Sequence, residues 1–161
     1  MVAALDFVVP DLFGHNGGIA RIARAMSLAL SHWADREKIA LHVHALMDEG
    51  GRHKLDYLPA PHHYHAYRGD RVALSQTLVR RMWSSTSPRI AVFAHPNLAV
   101  TSLAFPPWVR CAVVAHGVDV WTRLRLERRL ALRRVDALWP VSEDTARHLR
   151  EVQGVAAQRI H

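Results

Sequence analysis

Short runs of β-favouring apolar residues alternate with helical periodicity along the whole chain. Two of the runs stop abruptly in small, polar, turn-forming residues. Phe7-Val8-Val9-Pro10 runs into Asp11-Leu12-Phe13-Gly14-His15-Asn16-Gly17-Gly18 before Ile19 opens a helix. Val113-Val114-Ala115 stops at His116-Gly117, and a basic segment follows. Strands alternating with helices bury themselves in a mostly parallel sheet covered on both faces. The expectation is therefore an α/β domain of about six or seven strands. In such sheets ligands bind beyond the carboxyl ends of the strands. The two glycine-containing loops are expected to meet at one cleft, with His116 facing it.

The elements can be read in order. Residues 2–9 form a buried strand. Residues 19–33 form a helix through Ile22, Ala23, Met26, Ala29, Leu30 and Trp33. Residues 39–46 read as a strand, 48–61 as a polar loop punctuated by Gly50, Gly51, Pro59 and Pro61, and 63–67 as a short strand. A second amphipathic helix spans 71–83. A strand at 89–94 ends in His95-Pro96-Asn97, before a short apolar helix to about Phe105. Residues 108–115 are a strand, 120–134 one basic helix and 137–141 a last strand. Ser142 then caps a helix to about Val152, with Glu143 and Asp144 suited to the positive end of its dipole.

The 161 residues suffice for one domain with a real core, and half of them are hydrophobic. The single cysteine, Cys111, lies in an apolar run and reads as a small core residue in a reducing compartment. Asp6 interrupts the apolar start, no basic leader precedes it, and no apolar run reaches the ~20 residues needed to cross a bilayer. The expected location is the cytoplasm, with peripheral contact at a membrane. The net charge of +7 favours anionic partners. Arg123, Arg125, Arg128, Arg129, Arg133 and Arg134 stand against Glu127 alone, with Leu124, Leu126, Leu130 and Leu132 interleaved. This is either a solvated helix face or a stripe that meets acidic lipid or phosphate.

Gly14-His15-Asn16-Gly17-Gly18 leads into a helix start, where free N–H groups suit a phosphate. A plain strand–helix turn has the same glycine requirement. The spacing is neither GxGxxG nor a P-loop. His62, His63 and His65 lack the Cys or carboxylate partners of a metal shell and read as a solvated loop. His42 and His44 share one strand face and read as packing. His95-Pro96-Asn97 points to the cleft of His116 or simply turns the chain. No metal and no separate cofactor is expected.

Taken together, these residues resemble the N-terminal domain of glycosyltransferase family 4, retaining enzymes of the GT-B fold. The similarity rests on Gly17-Gly18-Ile19-Ala20-Arg21, on Ala115-His116-Gly117-Val118-Asp119-Val120-Trp121, and on Val141-Ser142-Glu143-Asp144-Thr145 with the preceding strand. It spans nearly the whole chain, residues 1–161. The resemblance implies a Rossmann-like three-layer α/β/α domain, one half of a GT-B fold. It implies a nucleoside-diphosphate sugar as co-substrate and a glycan or lipid-linked acceptor. Gly17 and Gly18 would lie against the donor diphosphate, and His116 would be the catalytic residue. His15, Asn16, His95, Asn97, Gly117, Asp119, Ser142 and Glu143 would line the acceptor or sugar cleft. In this family the donor half is a second domain, which these residues do not include. The fragment alone is expected to be inactive.

A second class remains open beside the enzyme. It is a non-catalytic Rossmann-like module that binds a sugar or a nucleotide. A nucleic-acid partner is not expected, because the basic stretch lacks interleaved aromatics and groove-reading motifs.

Overall fold

Ala4–Val9 (β1), Ala40–Ala45 (β2), His63–Ala66 (β3), Arg89–Phe93 (β4), Arg110–Ala115 (β5) and Ala137–Pro140 (β6) form one sheet with every pairing parallel. The computed structural model describes residues 4–14, 17–50, 63–84 and 87–161. The strand order is β3-β2-β1-β4-β5-β6. The chain starts at the centre, fills one side, then returns to lay β4 along the other edge of β1. This is the doubly wound Rossmann order, and its reversal lies between β1 and β4. A parallel bridge from Leu138 to Ile160 extends the sheet past β6.

Alternation along each strand feeds two apolar layers. Leu5, Phe7 and Val9 face the layer under α1 (Gly18–Glu37), and Val8 faces the opposite one. The α1 stripe is made of Ala20, Ala23, Ser27, Ser31 and Ala34. Small side chains let the helix lie close to the sheet, so Leu30 and Trp33 pack at its flanks. Ile22, which the periodicity placed in the stripe, is exposed. The other layer is closed by α2 (Arg71–Ser84), a 3-10 helix (Ala99–Ala104) and α4 (Leu126–Arg134).

The basic segment is not one helix. Gly117–Trp121 (α3) and α4 are separated by a break in which Thr122 and Arg125 are extended. The peptide groups freed there are met by one buried side chain. Gln153 Nε2 donates to the Val120 and Thr122 carbonyls, both at 2.7 Å, and its Oε1 accepts from the Leu124 N–H at 3.1 Å. The last helix, α5 (Glu143–Glu151), begins as expected: Ser142 Oγ accepts from the Thr145 N–H at 3.1 Å.

Asp6 is fully buried in β1. It accepts from His44 at 2.9 Å, Arg81 at 2.8 Å and Arg89 at 3.1 Å. Burial alone would neutralise it, but these donors prevail and hold its pKa at about 2. Beside it the parallel register sets His42 against His63 and His44 against His65, with ring centroids 4.4 and 4.8 Å apart. His63 and His65 thus belong to a strand rather than a solvated loop. His62 lies outside the described residues. Burial, aided by Arg81, pushes His42 down to about 3, and burial with His44 pushes His65 to about 4. Cys111 is a buried core residue whose thiol burial pushes up to about 12. No helix among the described residues is long and apolar enough to cross a membrane.

Candidate functional site

The reversal of strand order leaves a crevice at the carboxyl edge of the sheet, because the loops after β1 and β4 diverge there. A cleft of about 360 Å³ occupies it. Its walls include Asp11, Gly17 and Gly18 after β1, Met47 after β2, Arg71 at the start of α2, and His95, Asn97 and Leu98 after β4.

The β1 loop is held by a residue from the next strand. Asp48, fully buried just beyond β2, accepts from the backbone N–H groups of Leu12, Phe13 and Gly14 at 3.2–3.3 Å. Tyr64 donates its hydroxyl to the same carboxylate at 2.5 Å, and burial together with that carboxylate raises the tyrosine pKa. Arg24, in the second turn of α1, donates to the Leu12 carbonyl. The loop is thereby fixed before α1 begins.

Gly17 is the N-cap of α1, with φ −79° and ψ 170°, a conformation open to any residue. A Cβ added to Gly17 or Gly18 would meet no atom within 4 Å. Neither backbone conformation nor internal packing accounts for glycine at these two positions, and both line the cleft.

On the opposite wall, His95 is 8% exposed. Its Nδ1 accepts from the Asn97 N–H at 3.1 Å, so in the neutral ring Nε2 carries the proton. Nε2 lies 3.0 Å from Asp119 Oδ2 on α3. Burial lowers the His95 pKa; Asp119 opposes this, while His116 and Arg128 add to it. His116 is 7% exposed and its ring centroid lies 6.1 Å from that of His95. Its Nε2 donates to the Ala94 carbonyl at 2.9 Å. That bond fixes the proton on Nε2 and leaves Nδ1 with no hydrogen-bond partner among the described residues.

The expected site residues therefore fall into three groups. Gly17, Gly18, His95 and Asn97 line one cleft. His116, Gly117 and Asp119 sit directly behind its β4 wall, with Gly117 packed against Trp121 and Thr145. Ser142 and Glu143 are exposed at the end of β6, two strands from the crevice, and the Ser142 oxygen is engaged as a helix cap. His15 and Asn16 lie outside the described residues. Sequence reasoning missed Asp48 and Arg71. Asp48 follows a strand end beside β1, a position that could have marked it; Arg71 has no local signal.

At the level of sequence, no family model and no curated protein matches the chain. Among solved structures it is similar to the Anabaena protein Alr3699/HepE in complex with UDP and glucose, with a TM-score of 0.62 and 15% identity over 99% of this chain and 43% of the other. The same protein in complex with UDP gives a TM-score of 0.53 at 14% identity, with the same coverage. The chain thus spans less than half the length of that protein. At such identity the likeness is one of fold, and it agrees with the Rossmann-like order of the sheet.

Proposed function

We propose that this chain is the acceptor-side half of a retaining GT-B glycosyltransferase of the family 4 type, acting with a nucleoside-diphosphate sugar. The observation that carries the reading is the pair Gly17 and Gly18. They open a cleft at the strand reversal, and nothing among the described residues demands glycine there. An approaching ligand does, because only glycine lets the backbone N–H groups come close to an anion. The Anabaena neighbour, whose fold is similar, was solved with UDP and with glucose.

In this reading the donor diphosphate lies against Gly17 and Gly18, and the acceptor enters between them and His95–Asn97. Oriented N–H donors stabilise the charge that develops on the departing diphosphate. His116 stands behind His95 and is not among the cleft-lining residues, so in this reading its free Nδ1 meets the transferred sugar or acceptor when the His95 wall shifts. The remaining cationic groups and carboxylates belong to a second domain. Leu126 and Leu130, both exposed among the arginines of α4, support peripheral contact with acidic lipid as part of the same reading.

The test uses the full-length protein. UDP release from UDP-glucose is measured for the wild type and for Gly17→Val and Gly18→Val, beside thermal melting. The expected result is a loss of roughly tenfold or more in turnover at an unchanged melting temperature. Binding of UDP without any transfer would favour the non-catalytic module. No binding and no turnover would remove the nucleotide-sugar reading altogether.

A further inference from the structure

A second pocket of about 310 Å³, with mixed polar and apolar walls, adjoins the cleft and shares Arg71, Asn97 and Leu98 with it. Besides the loop after β4, its walls come from three helices. Arg71 and Ser75 stand on α2, Thr101 on the 3-10 helix, and Glu127 and Arg128 on α4. Ser75 and Thr101 hydroxyls lie 3.3 Å apart, so at present they satisfy one another across the floor. Among the described residues, neither Arg71 nor Arg128 has a carboxylate within ion-pair distance, and Glu127 pairs with neither. Arg71 also sits in the first turn of α2, next to Asp70, whose Oδ1 caps the helix by accepting from the Ala73 N–H at 2.9 Å and so is engaged with the backbone rather than with Arg71. The charge of Arg128 reaches the cleft, since it is felt at His95.

Two guanidinium groups that line one pocket with two hydroxyls, and that form no ion pair among the described residues, offer an anion site, although the Glu127 carboxylate lines it too. We propose that this pocket binds a phosphate group carried by the acceptor, placing the acceptor's reactive end in the neighbouring cleft. The inference rests on the glycosyltransferase reading for the word acceptor, but the anion site stands on its own geometry. Phosphate fits better than carboxylate. Its tetrahedral oxygens meet donors arriving from separate walls, whereas a carboxylate offers two oxygens in one plane to one planar fork. The Ser75 and Thr101 hydroxyls can each turn from one another to a phosphate oxygen.

The ¹⁵N-labelled protein is titrated with inorganic phosphate in low-chloride buffer, reading the amides of Ser75, Asn97 and Thr101. Shifts at these amides are expected. Arg71→Gln and Arg128→Gln should each weaken binding roughly tenfold, while Arg123→Gln, an exposed arginine outside the pocket, should change it by less than about twofold. Silent amides, or equal weakening by Arg123→Gln, overturn the proposal. Vesicles of phosphatidylglycerol and of phosphatidylcholine separate the sources. Retention on phosphatidylglycerol that Arg128→Gln abolishes assigns the phosphate to a lipid headgroup. Phosphate binding lost in that variant with vesicle retention unaltered assigns it to a soluble acceptor. UDP, added to the same sample and read at Gly17 and Gly18, tests the glycosyltransferase reading separately. UDP shifts with a silent phosphate titration sink only the anion site, and the converse sinks only the nucleotide-sugar reading.

Discussion

His95 Nε2 and Asp119 Oδ2 lie 3.0 Å apart, tying the loop after β4 to the helix after β5 directly behind the cleft. The carboxylate favours the charged imidazole, and burial opposes it. Asp119→Asn removes the favourable charge and leaves the burial. The His95 pKa should therefore fall further below its ordinary value. An NMR titration of the imidazole resonances reads this directly, and a rise on substitution would show that Asp119 is not the carboxylate His95 senses.

Asp48 serves three backbone donors and one tyrosine hydroxyl from a fully buried position. Asp48→Ala strands all four, and should cost about 2–4 kcal/mol of stability. Tyr64→Phe removes one partner and should cost about 1 kcal/mol. Urea denaturation of the two variants should keep that order. Equal midpoints would mean that the loop is anchored elsewhere.

His116 carries a structural bond and a free nitrogen at once, and the two can be separated. His116→Ala leaves the Ala94 carbonyl without its donor, at a cost of about 1–2 kcal/mol. His116→Gln places an amide N–H where Nε2 stood, so stability should largely return. Under the proposed glycosyl transfer both variants should lose about a hundredfold or more in turnover, since neither supplies Nδ1. Recovery of turnover in the Gln variant would confine His116 to the bond with Ala94.

Acid should weaken the fold through the stacked histidines. Their folded pKa values, about 3 for His42 and about 4 for His65, lie below the ordinary 6.5. The unfolded chain thus binds more protons between these values, and the stability they contribute is complete above pH 6.5 and lost as pH falls towards 4. His44 and His95, also depressed, act in the same direction. Asp6 enters lower, between its ordinary 3.8 and about 2. Melting temperature should fall from pH 6.5 to 4, and the double variant His42→Asn with His65→Asn should show a shallower slope. An unchanged slope would place the acid sensitivity outside the stack.

The architecture was legible because strand and helix periods are local. Phe7-Val8-Val9 and Val113-Val114-Ala115 fall into strands of a parallel sheet, and Ser142 caps α5 as its sequence suggests. The same locality explains what was missed. Residues 120–134 keep a helical pattern across a break that Gln153 satisfies from a distant part of the chain. Asp48 was one polar residue in a polar loop until the sheet set β2 beside β1. At the cleft, Gly17, Gly18, His95 and Asn97 were visible as turn residues at strand ends. The anion pocket was not, because Arg71 and Arg128 belong to helices that meet only across the 3-10 segment.

The strand order also dictates a schedule. β1 is the first of the six strands to be made, yet its partner on one side, β4, begins only at Arg89. Until then the most buried strand of the sheet carries a bare hydrogen-bonding edge. Contacts this distant along the chain slow folding and prolong the exposure of unpaired strand edges. The nascent domain should accordingly need its longest protection from aggregation between the emergence of β1 and that of β4, and should close into a protease-resistant unit only after β4 and β5 have emerged.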